Sequence, residues 1–134
     1  MENLIINHWA VIVAAVSMFL LGGLWYGPLF GKAWAEVNGL SESDIAAANP
    51  AKTYGFSFII ALVMAYNLAA FLGDAETDAA WGATAGFLAG FGWVALSVAM
   101  ISLFEQRRLK YVLINGGYIA VAFTIMGFII GVWR

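Results

Sequence analysis

The sequence predicts an all-α integral membrane protein with four transmembrane helices in two antiparallel hairpins and a short interfacial helix in the first loop, a single domain over residues 1–134. Composition is the first reason. Hydrophobic residues make up 63%, charged residues 10%, and the mean hydropathy is +0.88, whereas a water-soluble domain carries about 25% charged residues. Spacing is the second: apart from the two ends, the charges fall in three stretches that separate four apolar runs. Each run approaches the ~20 residues that a helix rising ~1.5 Å per residue needs to cross ~30 Å of hydrocarbon. The third reason is residues 24–34, which concentrate what a membrane boundary selects. Trp25, Tyr26 and Trp34 are amphipathic rings suited to headgroup depth, and Lys32 is a charge that belongs in water. Gly27, Pro28 and Gly31 should prevent a straight helix from continuing, so the first helix is expected to leave the bilayer there.

Residues 4–24 form the first predicted span, with His8 and Trp9 at its start as interfacial anchors. No basic n-region and no Ala-x-Ala-like site accompany it, so it reads as a retained helix rather than a signal peptide. Residues 31–53 are the longest polar stretch. Trp34, Val37 and Leu40 recur at helical spacing, and Gly39 is placed to close that segment in a left-handed conformation. Ser41 to Asp44 offers a helix N-cap with acids in the first turn, and Asn49-Pro50 should stop the short helix over 45–48. The second span is expected over 54–72. An acidic turn follows, with Asp78 or Thr77 capping the third span, Ala79 to Phe104; a basic turn over 105–110 then leads to the fourth, 111–132, closed by Trp133-Arg134. Short turns make consecutive helices antiparallel neighbours.

Five of the six Lys and Arg residues, Lys32, Lys52, Arg107, Arg108 and Lys110, lie in the two loops between paired spans, and only Arg134 lies at the other end. The positive-inside rule puts those loops in the cytoplasm and both termini outside.

Helices in lipid associate through close backbone approach and interhelical hydrogen bonds. Gly82, Gly86 and Gly90 form a small-residue ridge on the third span, Ser57, Ala61, Ala65 and Ala69 one on the second, and Gly116, Ala120 and Thr124 one on the fourth, with Gly127 and Gly131 expected on another face. Among polar residues in the spans, Asn7, His8 and Asn67 are candidates for an outer polar layer, either a hydrogen-bond clamp or a ligand or proton site. Trp25, Tyr26, Lys32, Glu105, Asn115 and Tyr118 converge near one membrane boundary and form the candidate binding or partner surface.

Much chemistry is excluded. Without cysteine there is no disulfide, thiolate metal site or cysteine nucleophile. The one histidine, His8, has no acid nearby in sequence except Glu2, so no catalytic triad can be built. Asp74, Glu76 and Asp78 read as a solvated turn and cap rather than a calcium site. A net charge of −2 supplies no basic face for nucleic acid. No catalytic, metal or cofactor-binding residue is therefore expected, and the chain is not expected to be an enzyme.

Residues 24–34, residues 39–44, Phe104-Glu105 with Leu109-Lys110, residues 114–118, Gly127 and residues 131–133 together give a nearly end-to-end resemblance to the DUF1761 family of small, mostly bacterial membrane proteins of unknown function. The resemblance implies a four-span topology and an inner-membrane home, and supplies no catalytic residue. Gly117 stands where a different small residue is more usual in that pattern. The expected activity is association, as a homodimer in the lipid bilayer, with any small-molecule ligand unknown. The alternative is a subunit of an oligomeric small-molecule or ion transporter, which the lack of a membrane-embedded acid disfavours.

Overall fold

A computed structural model describes residues 4–134; Glu2, weighed above as a partner for His8, lies outside the described residues. Those residues form six helices and no strand: α1 (His8–Leu29), α2 (Gly31–Asn38), α3 (Glu42–Ala47), α4 (Pro50–Phe71), α5 (Ala79–Phe104) and α6 (Leu109–Val132). Four of them, α1, α4, α5 and α6, are long and apolar enough to cross a membrane.

Hydropathy placed the ends of these helices only approximately, because backbone hydrogen bonding fixes them. Residues 4–7 are not helical. Asn7 caps α1, its side-chain oxygen accepting from the amides of Trp9 and Ala10, so it lies before the helix and not one turn inside it. Nor does α1 stop at Leu24. Pro28 has no N–H to donate to the carbonyl one α-turn back, and the helix widens into a π turn over Trp25–Leu29, with the Phe30 amide donating to the Trp25 carbonyl at 2.8 Å. The chain then bends at Phe30, and α2 begins at Gly31, where a Cβ would lie 2.7 Å from the Tyr26 carbonyl oxygen.

Gly39, at φ 66°, ends α2. Leu40 donates to Ala35 and Gly39 to Glu36, the paired bonds of a Schellman cap. A reciprocal capping box of Ser41 and Asp44 opens α3. Asn49 and Pro50 both end that helix and start the next: Asn49 accepts from the Lys52 amide and Pro50 fills the first position of α4, four residues before the expected start at Tyr54. Of the two candidates, Asp78 caps α5 by accepting from the Trp81 amide at 2.8 Å.

Each hairpin is built differently. The α5/α6 pair packs backbone to backbone: a Cβ at Gly82 would overlap the Gly127 carbonyl, and one at Gly86 the Phe123 carbonyl. From α6, a Cβ at Gly127 would overlap Gly82, one at Gly131 would overlap Asp78, and one at Gly116 would press on Ala95. Gly127 and Gly131 therefore share a face with Gly116 instead of occupying another one, because eleven residues close to within about 20° of three helical turns. The α1/α4 pair meets through alanines, with Ala14 and Ala15 of α1 and Ala61, Ala65 and Ala69 of α4 all buried. These join Met126, Phe123 and Ile130 of α6 in the core, so α1 and α6 form the seam between the hairpins.

Candidate functional site

Toward the end that carries the basic loops, α1 and α4 part. Ala61 is buried, whereas Ser57, one turn earlier on the same ridge, is exposed. Phe19 stands in the opening with its ring edge-on to Tyr54 and Phe58, at centroid distances of 5.8 and 6.0 Å. The result is a cleft of about 1060 Å³ walled by α1 and α4, floored by Tyr118 and Ile119 of α6, and covered at the loop end by Trp34 of α2 and residues of α3.

An aromatic joint holds the floor. The Tyr26 hydroxyl donates to the Asn115 side-chain oxygen at 2.7 Å, the Trp25 indole donates to the Ile114 carbonyl at 2.9 Å, and the Tyr118 hydroxyl donates to the Met18 carbonyl at 2.8 Å. The Tyr26 and Tyr118 rings pack edge to face at 5.3 Å, and Tyr26 meets Trp34 at 5.8 Å. Two glycines make the approach possible: a Cβ at Gly117 would press on the Trp25 ring and one at Gly22 on the Tyr118 hydroxyl, each at 3.1 Å.

Four of the six residues expected to converge thus do so, and Lys32 and Glu105 stay apart from them. Lys32 is exposed. Glu105 faces water and pairs with Arg107 at 3.6 Å, both side chains about half exposed, a contact worth roughly 0–1 kcal/mol. Lys32 and Glu105 are both exposed, as expected of ions that an apolar joint would leave without a partner.

At the opposite end, the Asn7 side-chain amide donates to the Arg134 carbonyl, and His8 Nδ1 shares a 2.8 Å hydrogen bond with the Tyr66 hydroxyl. Arg134 donates to the carbonyls of Leu72 and Asp74, placing a cation at the C-terminus of α4. Asn67 is not in this layer. One residue on a helix is a rotation of ~100°, and it leaves Tyr66 facing α1 and Asn67 exposed.

A family profile described as "Protein of unknown function (DUF1761)" matches residues 9–131. The chain belongs to the DUF1761 family. No curated protein and no solved structure matches it. In this DUF1761 member the matched stretch contains all but the first and last residues of the two hairpins, and the whole cleft. Among the described residues, no group of three or more His, Cys, Asp or Glu side chains converges as a metal site would require. What the DUF1761 cleft offers is a cavity between two helices long and apolar enough to cross a membrane, lined by aromatic rings, aliphatic side chains and a few hydroxyls and by no charged side chain. Sequence reasoning missed Phe19, Tyr54 and Ser57 as lining of the cleft and Tyr66 as the partner of His8. The alanine ridge that ends at Ser57 was the available signal, because a ridge that turns polar marks where close packing stops.

Proposed function

We propose that the protein acts by non-covalent association in the plane of the membrane, as a homodimer in the cell inner membrane, with both termini outside. One observation carries the dimer. On α4, Phe56, Ile59, Val63 and Asn67 are all exposed and fall on one helical face, so a carboxamide stands in an apolar stripe, about 6 Å along the axis from the helix end. The polar groups beside it, Asn7, His8, Tyr66 and Arg134, bond to one another and to backbone carbonyls. An amide carries both donors and an acceptor, so two copies of Asn67 across a two-fold axis satisfy each other. The five-to-one distribution of Lys and Arg supports the orientation, and a cleft lined by no Asp, Glu, Lys, Arg or His is in keeping with a role without covalent chemistry.

Cysteine at Val63 should give an oxidative cross-link between copies in native membranes, and Asn67→Leu should weaken it. A cross-link at Leu103 on α5 that is stronger than the one at Val63 would show that α4 is not the interface. Labelling of a cysteine at Glu76 only from the cytoplasmic side would invert the topology. The second reading, a subunit of an oligomeric transporter, draws support from the cleft, whose uncharged lining restricts any cargo to uncharged molecules.

A further inference from the structure

We propose that the α1/α4 cleft is a binding site for an uncharged lipid with a hydroxyl or ester head, of the acylglycerol class, which enters sideways from the bilayer. This rests on the four spans and the cleft, not on the dimer.

The space is built into the fold. The alanine contacts close the cleft at one end, and at the other α1 presents Gly23 and Gly27, where a Cβ would meet nothing within 4 Å. About 1060 Å³ is left, at the upper limit of ordinary ligand pockets, which run to about 1,000 Å³. Its lining is graded. Leu20, Ile60, Met64 and Ile119 face the part nearest mid-membrane, and Thr53, Tyr54, Ser57 and the Trp34 indole gather toward the loop end. Such a gradient matches an acyl chain below and a small oxygen-bearing head above.

Charge decides the class of head. No Asp, Glu, Lys, Arg or His lines the cleft. A phosphate or ammonium there would be stripped of water without a counter-ion, whereas a hydroxyl or ester needs only one or two of the hydrogen-bonding groups present. Ile45, Ala46, Ala48 and Pro50 cover the loop end, which leaves the gap between the two spans as the entrance.

The test uses the full chain in phosphatidylcholine vesicles containing a diazirine-bearing diacylglycerol, with adducts mapped by peptide mass spectrometry after irradiation. Labelling should concentrate on Tyr54, Ser57 and Met64 by about tenfold over Leu103 and Phe104, which face the surroundings openly, and should fall when unlabelled diacylglycerol is added. Ser57→Trp and Gly23→Leu, each checked for an unchanged elution profile, should remove it; Leu103→Trp and the dimer variant Asn67→Leu should not. Uniform, uncompeted labelling of all exposed apolar positions would reduce the cleft to ordinary lipid contact. Equal labelling by a diazirine phosphatidic acid would overturn the assignment to an uncharged head.

Discussion

The two hairpins solve one packing problem in opposite ways. In α5/α6, glycine faces glycine and the backbones touch, leaving no room for a single added carbon at Gly82, Gly86 or Gly127. In α1/α4, alanine faces alanine over half the length and the helices then diverge around Phe19. Since lipid gives no hydrophobic reward for helix association, closeness of approach sets how firmly a pair is held. One hairpin is consequently a fixed wall and the other an open pair.

The sharpest way to break that contrast is at the glycine joint. Gly86→Ile should cost more than about 3 kcal/mol of detergent-measured stability, because backbone atoms cannot yield as flexible side chains do. Gly92→Ile, where a Cβ meets nothing within 4 Å, should be near neutral; equal effects would mean that the joint is looser than the structure has it. Tyr26→Phe tests the seam between the two hairpins. It removes the bond to Asn115 and should cost about 1 kcal/mol in equilibrium unfolding, and an unchanged stability would mean that water replaces Asn115. Smaller still is the clamp closing the far end of the open pair: a double-mutant cycle of His8→Ala and Tyr66→Phe should give a coupling of about 0.6 kcal/mol. Zero coupling would show the two groups acting separately.

The least of these effects is electrostatic and lies in α3, part of the cleft's cover. The Ser41 amide, and after it the Ser41 side chain, holds the Asp44 carboxyl below the usual carboxylate range. A folded-state value below the unfolded one stabilises the cap at pH above about 3.9, and that contribution is lost as pH falls through the folded value. An NMR titration of Asp44 should find its midpoint below the ordinary aspartate value. A midpoint at the ordinary aspartate value would mean that the capping box does not form in the membrane.

Span number, order and the glycine ridge were legible in the sequence because each follows from composition or from a fixed spacing. Helix ends were less so: Asn7, Pro28 and Pro50 act through individual amides that a hydropathy average does not register. At the candidate site, Trp25, Tyr26, Asn115 and Tyr118 could be grouped by their common depth. That depth also admitted Lys32 and Glu105, which hydration holds outside, and it could not reveal the cleft, which exists only because two helices diverge. Asn67 was assigned to the wrong partner set because depth alone says nothing about azimuth.

The buried positions of α5 step from Gly82 to Gly86 to Gly90 by four, and then to Ala95 by five, across the π turn Gly90–Ala95. A π turn is the form that one inserted residue takes in a helix. Here it acts as a phase corrector: it absorbs the extra residue without letting the buried face wind away from α6. Deleting a residue inside Gly90–Ala95 should remove the π turn and leave buried Ser102 in phase with α6, whereas deleting one from the regular helix beyond Ala95 would rotate everything after it by ~100° and carry Ser102 off the buried face. In α5 the extra residue is thus confined to one turn, and the face that meets α6 stays continuous on both sides of it.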